Sequence, residues 1–324
     1  MTDALIARAV QHLRAGELVA MPTETVYGLA ADARNDDAVR KIFAAKGRPA
    51  DHPLIVHLPH AGAMHEWARD VPEAALALAG KFWPGPLTLI LPRARGVSDR
   101  VTGGQDSVGL RVPGHPLALA LLSAFGSGLA APSANRYGRI SPTTAAHVQA
   151  EFDAGQIAMV LDGGPCSVGL ESTILDLTRA EPAILRPGAI RADQIAEILG
   201  RAPGAPSAAA PRVPGALAAH YAPRTPLRLC EAEALGDELR AAHAAGSHCA
   251  VLLRSLSAQA LAAPSHLRVM PAAADDYARE LYAALREADA AGADLILLEL
   301  PPRAAAWLAV LDRLQRAAHG SGSA

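Results

Sequence analysis

The chain is poor in cysteine: Cys166, Cys230 and Cys249 are the only three in 324 residues, and no Cys-x-x-Cys pair occurs. An odd number of widely spaced thiols supports neither a disulfide framework nor a zinc ribbon. Aromatic residues make up only 4%. The core must therefore pack small side chains, and the abundance of alanine, a strong helix former, suits that. Charge is balanced: 30 Lys plus Arg against 32 Asp plus Glu leave a formal net charge of −2. That excludes a chain-wide attraction to nucleic acid and leaves room for a local basic site only. No run approaches the ~18 apolar residues of a membrane span. The opening MTDALIARAVQHLRAGE reads as an amphipathic helix, with polar positions where a signal peptide needs a continuous apolar stretch. A cytoplasmic chain without a membrane partner is expected. There is no GxxxxGK[ST] loop, no HExxH and no internal repeat.

What is present is a chain long enough for two domains, with 51% apolar residues to bury. Helix and strand signals alternate over residues 1–200. Leu5, Ile6, Ala9, Val10 and Leu13 recur at helical spacing, and 37–46, 116–124 and 143–150 also read as helical. Short apolar runs at 18–21, 53–58, 87–91, 108–112, 128–131, 157–161 and 172–177 read as strands. The mixture predicts an α/β domain with one large sheet. Residues 201–226, rich in Pro, Ala and Gly, read as an extended linker holding His220-Tyr221-Ala222-Pro223. From 227 to 324 a smaller βαβ-type unit follows. Its strands are at 226–230, 249–253 and 293–300, with helices marked by Ala278, Leu281, Tyr282 and Leu285 and by Leu308, Leu311 and Leu314. It lacks a Gly-rich phosphate loop, so no dinucleotide site is expected there.

Two short patterns carry chemistry. Lys46-Gly47-Arg48-Pro49 puts two cations on a turn that Pro49 stops from continuing as helix. Pro132-Ser133-Ala134-Asn135 puts a hydroxyl and an amide just after an apolar run. Together they suit a polyphosphate and the sugar or base attached to it. Each also has a plainer reading: a solvated helix end for Lys46 and Arg48, a turn or cap for Ser133 and Asn135. His52, His57, His60 and His65 cluster without a zinc-type pattern, so no protein-held metal is expected. No base spacing marks Cys166 as a nucleophile. Tyr277, Tyr282 and Trp307 read as core aromatics.

The chain resembles the YrdC-like threonylcarbamoyl-AMP synthases in their long, two-domain form. The stretches that carry the resemblance are Pro22-Thr23-Glu24-Thr25-Val26-Tyr27-Gly28-Leu29, Lys46-Gly47-Arg48-Pro49, Pro53-Leu54-Ile55-Val56-His57 and Trp83-Pro84-Gly85-Pro86-Leu87-Thr88. Further on come Gly109-Leu110-Arg111-Val112-Pro113, Ala131-Pro132-Ser133-Ala134-Asn135, Gly169-Leu170-Glu171-Ser172-Thr173, Leu185-Arg186-Pro187-Gly188 and the linker His220-Tyr221-Ala222-Pro223. Order and spacing agree over essentially the whole chain. The closing Pro301–Trp307 stretch departs, with alanines where the family is expected to be glycine-rich and polar, while Asp312-Arg313-Leu314 is retained.

The resemblance implies a large twisted mixed sheet with a concave active site, plus a smaller Rossmann-like domain. It implies that L-threonine, bicarbonate and ATP give threonylcarbamoyl-adenylate and pyrophosphate, with Mg²⁺ carried on ATP. A partner complex then transfers the group to the adenosine beside the anticodon of tRNA, with direct tRNA contact weak or local. Threonine ligands map onto Thr25, His57, Arg111, Ala131 and Ser172. ATP ligands map onto Lys46, Arg48, His52, Ser107, Ser133, Asn135, Ser141, Arg186 and Tyr221, with Lys46 and Arg48 also the catalytic candidates. Arg111 suits a carboxylate, which a guanidinium binds bidentately. It also has a plainer reading: in an apolar run it needs a buried partner, which can be Glu171 or another carboxylate of the chain rather than substrate. Thr23 and Thr25 alternate, so one caps while the other binds.

Two other functions compete. An RNA-binding module of the same fold is disfavoured by the near-neutral charge. A maturation enzyme using carbamoyl phosphate needs fused acylphosphatase and zinc-finger units, for which neither length nor cysteines suffice.

Overall fold

The structure is a computed structural model that describes residues 2–256 and 263–322. The chain forms two compact units. The first comprises Met1–Tyr137, Pro142–Ser167 and Glu171–Ala216; the second comprises Gly138–Ser141, Val168–Leu170 and Leu217–Ala324.

The strands of the first unit are β1 (Val19–Met21), β2 (Gly28–Asp32), β3 (Ile55–His57), β4 (Leu87–Pro92), β5 (Ser107–Arg111), β6 (Leu129–Ala130), β7 (Met159–Val160), β8 (Thr173–Asp176) and β9 (Ala183–Arg186). Its helices are α1 (Thr2–Arg14), α2 (Asp36–Lys46), α3 (Glu73–Phe82), α4 (Asp99–Thr102), α5 (Pro116–Phe125), α6 (Ala145–Gln149) and α7 (Ala192–Leu199). The strands make one mixed sheet in the order β7-β1-β2-β6-β3-β5-β4-β8-β9.

Strand register decides which side chains share a face, because successive residues point to opposite sides. Val56, Leu89, Leu110 and Leu175 lie in the main core, packed with Val39 and Ile42 of α2, Leu78 of α3 and Ile195 of α7. On the other side α1 and α5 supply Ile6, Val10, Leu13, Leu121 and Leu122 to cover Val19, Ala30 and Leu129. Beyond β6 that second side is built differently. Ile55 and Ile90 both pair with Gly109, His57 with Arg111, Thr88 with Ile174 and Ile174 with Arg186. These residues therefore stand in one row across β3, β5, β4, β8 and β9. Their apolar members Ile55, Ile90 and Ile174 are capped by Val213. Gly109 keeps the row flat, since a Cβ there would come 3.2 Å from Ile90 Cδ1.

Helix α2 has clear ends. Asn35 Oδ1 accepts from the N–H groups of Asp37 (3.0 Å) and Ala38 (3.1 Å), and Gly47 closes the helix in the left-handed region at φ 63°. That stop fixes where Lys46 and Arg48 leave the helix.

The strands of the second unit are β10 (Leu227–Cys230), β11 (Cys249–Leu253), β12 (His266–Val269) and β13 (Leu295–Glu299). They form a separate, wholly parallel sheet in the order β10-β13-β11-β12. Its helices are α8 (Ala232–Ala244), α9 (Ala274–Ala290) and α10 (Leu308–Gly320). Cys249–Leu253 and Ile296–Leu298 are continuous buried runs, as strands covered on both faces require. Tyr277, Tyr282 and Trp307 are buried. Where the parallel strands end, Glu299 accepts hydrogen bonds from the backbone N–H groups of Arg254 (2.8 Å), Ser255 (3.0 Å) and Leu256 (3.3 Å). A carboxylate of the chain itself thus fills the kind of N–H cluster that elsewhere holds a phosphate. Burial pushes Glu299 up, but the bonds from the Ser255 hydroxyl and these N–H groups outweigh it and hold the carboxyl below its usual range. Among the described residues no helix is long and apolar enough to cross a membrane.

Candidate active site

Arg111 ends β5 and is 4% exposed. Three loop groups hold it. Nε donates to Gly85 O (3.1 Å), Nη1 donates to Thr25 Oγ1 (2.9 Å), and Nη2 lies 2.7 Å from Glu24 Oε1. The carboxylate that a buried Arg111 requires is thus Glu24. The two threonines divide their work. Thr23 Oγ1 donates to Val26 O (2.6 Å) and accepts from the N–H groups of Thr25 (3.1 Å) and Val26 (3.2 Å), so it ties the turn. Thr25 faces the guanidinium.

His57 stands beside Arg111 on the neighbouring strand. Burial, and then the Arg111 charge, push its pKa down from 6.5 to about 3, so it is neutral near pH 7. Ala131 presents its backbone next to the same strand, its N–H donating to Ile55 O (3.1 Å). Ser172, just before β8, shares a hydrogen bond with Thr88 Oγ1 (2.7 Å). Arg186 clasps Ser172, donating to its carbonyl from Nε (3.1 Å) and Nη2 (2.9 Å) and to Oγ from Nη2 (3.2 Å). Nη1 of Arg186 donates to Pro214 O (3.0 Å). Thr25, His57, Arg111, Ser172 and Arg186 therefore belong to one polar floor on the row described above.

A second group forms at the end of α2. Lys46 Nζ donates to the carbonyls of Ser133 (2.6 Å) and Asn135 (2.5 Å), joining the two sequence patterns into one structure. Lys46 is no solvated helix end. It is 3% exposed, and burial followed by repulsion from Arg48 holds its pKa well below 10.5. Arg48 is also buried, with Nη2 donating to Pro53 O (2.7 Å). His52 packs edge-on against Tyr137 and has its pKa lowered by burial and by Arg48.

Ser107 shares the face of Arg111 but starts β5, four residues away, about 13 Å along the strand. Ser141 and Tyr221 fall in the second unit. Tyr221 holds a left-handed backbone at φ 62°, is 1% exposed, stacks on Tyr282 at 5.7 Å and lies 5.2 Å below the Arg313 guanidinium. The retained Arg313 thus packs over the linker tyrosine, and Asp312 pairs with that arginine.

Sequence alone gives Glu24, Thr88 and Gly85 no role. Thr88, a hydroxyl inside an apolar strand, is the visible signal for one of them. Cys166 is buried, and burial pushes its thiol up to about 12, so it is not a thiolate. Among the described residues no group of three or more His, Cys, Asp or Glu side chains is placed to hold a metal.

Tyr27 fastens the loop that leads towards Ser172. Its hydroxyl donates to Gly164 O (2.8 Å) and accepts from Gly163 N (3.1 Å). Tyr27→Phe should lower stability by about 1–2 kcal/mol, since the Gly163 N–H loses its partner. A urea-unfolding midpoint equal to that of the parent chain would show that water replaces the phenol.

The Sua5/YciO/YrdC family model, described as "Telomere recombination", matches residues 11–188. A second model, "Threonylcarbamoyl-AMP synthase, C-terminal domain", matches residues 190–319. A threonylcarbamoyl-AMP synthase of Bacillus subtilis is 42% identical over 327 residues, covering 98% of this chain and 94% of the relative. One from Pyrococcus abyssi is 39% identical, covering 95% and 92%. The crystal structure of P. abyssi Sua5 complexed with L-threonine superposes with a TM-score of 0.90 at 37% identity, over 98% of this chain and 95% of that one. The chain belongs to the two-domain threonylcarbamoyl-AMP synthase family of enzymes.

Proposed function

We propose that this chain joins L-threonine, bicarbonate and ATP into L-threonylcarbamoyl-AMP, releasing pyrophosphate. The product would supply threonylcarbamoyladenosine modification of tRNA next to the anticodon through a downstream transferase complex. The observation that carries the reading is the polar floor, where the Arg111 guanidinium stands beside Thr25 and neutral His57, while Arg186 clasps Ser172. With the imidazole neutral, Arg111 is the cation next to Thr25 and His57, which suits an amino-acid carboxylate.

The chemistry needs positioning and charge neutralisation more than a strong base. The amine of threonine adds to the carbon of bicarbonate, water is lost to leave a carbamate, and a carbamate oxygen attacks the α-phosphorus of ATP in line. The bond to the β,γ-diphosphate breaks and pyrophosphate leaves. Thr25, His57, Arg111, Ala131 and Ser172 hold threonine. Lys46, Arg48 and Arg186 offset phosphate charge, and His52, Ser107, Ser133, Asn135, Ser141 and Tyr221 contact the rest of the nucleotide. Mg²⁺ arrives on ATP and contributes charge neutralisation there. Residues 1–200 form the catalytic domain, 201–226 a linker that closes over the site, and 227–324 the small domain.

The linker's part is supported by contacts that its residues 212 and 213 make within the first unit. Arg212 N donates to Gln105 Oε1 (2.7 Å), Gln105 Nε2 donates back to Arg212 O (3.0 Å), and Val213 caps the isoleucines of the row. A semi-rigid Pro-rich segment so placed excludes water from an adenylate that would otherwise hydrolyse.

The test is pyrophosphate release from ATP by the full chain. Release should require both L-threonine and bicarbonate. An equal rate with either omitted would rule the reading out.

A further inference from the structure

Glu24 has a role that no ligand assignment gives it. It is 7% exposed, yet neither carboxylate oxygen receives a hydrogen bond among the described residues, and neither does Arg111 Nη2 donate one. Even so, Glu24 Oε1 lies 2.7 Å from that Nη2. The two facts together mean that the oxygen sits close to the nitrogen but off its N–H directions. The pair is held by charge rather than by a shared proton.

A guanidinium has five N–H donors. Here one is taken by Gly85 O through Nε and one by Thr25 Oγ1 through Nη1. Those bonds orient two corners of the plane, and Glu24 fixes the third by attraction while leaving the Nη2 donors uncommitted. The backing is close. A Cβ on Gly114 would come 3.3 Å from the Glu24 carboxyl, so the chain passes close behind it. Glu24 and Thr25 are also adjacent on the turn that Thr23 ties, so one turn places both counter-ion and hydroxyl.

We infer that Glu24 is a positioning residue for the amino-acid substrate: it holds the Arg111 guanidinium with its Nη2 donors open to the substrate carboxylate. The inference rests on the reading that Arg111 receives that carboxylate. A buried ion pair by itself is weak evidence for stability. A contact that withholds its hydrogen bonds is understandable if those donors have another acceptor during turnover.

Dissociation constants for L-threonine and for ATP, measured on the full chain, test this. Glu24→Gln keeps the shape and removes the charge. It should weaken L-threonine binding more than tenfold and change ATP binding less than twofold, and Glu24→Asp should recover part of the loss. A purely structural ion pair predicts a lower melting temperature with unchanged L-threonine affinity in the folded variant, and that result overturns the inference. Arg111→Lys separates the two layers. If it leaves L-threonine binding intact, the carboxylate reading itself fails. If it weakens binding while Glu24→Gln does not, only the role of Glu24 fails. Should Glu24→Gln not fold, Glu24→Asp decides alone: a several-fold loss specific to L-threonine supports the inference, and unchanged binding overturns it.

Discussion

Lys46→Met should slow nucleotide turnover about a hundredfold while leaving L-threonine affinity nearly unchanged. An ammonium has three N–H donors. Two of them go to the carbonyls of Ser133 and Asn135, which leaves the third for an anion. A charge-assisted bond is worth about 1.5–3 kcal/mol, a factor of ten to over a hundred in rate or affinity. Burial and Arg48 make the charge on Lys46 costly in the free protein, and a triphosphate that neutralises it relieves that cost. Methionine fills the space but offers nothing to either carbonyl, so the loop at 133–135 also loosens. Steady-state kinetics at saturating L-threonine, with circular dichroism to confirm folding, separate the outcomes. Full activity in a folded Lys46→Met would reduce Lys46 to a tie between helix and loop. The lowered pKa has a sign of its own. As pH climbs, free Lys46 loses its proton earlier than a lysine at 10.5 does, so nucleotide affinity should decline earlier on the alkaline side.

How far the sequence reached depended on whether an element carries its own periodicity. Strands β4, β5, β8 and β11 are compact apolar runs and stand within a residue or two of where the pattern puts them. Strand β12 alternates half-buried and exposed positions with only four residues, so its pattern is too short to see. The pattern leaves α3, α7 and α8 unassigned: α3 and α8 are alanine-rich and show weak contrast between faces, while α7 is amphipathic but only eight residues long. The polar floor was legible as a list of motifs but not as a surface. Only the pairing of His57 with Arg111 and of Ile174 with Arg186 puts the list on one face. The Arg111 counter-ion shows the limit clearly. Sequence asks for a partner to a buried arginine and offers Glu171 or another carboxylate. The choice of Glu24 is made by the turn of residues 22–27 folding against the end of β5, a contact between residues 87 positions apart that spacing does not encode.

Acid should destabilise this fold through His57, and the effect should be large for one side chain. In an unfolded chain the imidazole titrates near 6.5; in the folded chain burial and Arg111 hold it at about 3. Between those values the unfolded state binds a proton that the folded state refuses, so stability rises with pH across that window. The contribution is present in full above 6.5 and is lost as pH falls towards 3. Each unit is worth 1.36 kcal/mol, so acidifying from about pH 7 to about pH 4 should remove roughly 3 kcal/mol through this group. Other carboxylates also titrate there, so the informative quantity is the difference between the parent chain and His57→Gln, in which their contributions cancel. Urea unfolding at a series of pH values gives it: the parent chain should lose about 3 kcal/mol more than the variant on going to about pH 4. Parallel profiles would mean that His57 gains a proton in the folded state without penalty. The neutral imidazole, and with it the argument that Arg111 is the cation meeting the substrate carboxylate, would then have to be abandoned.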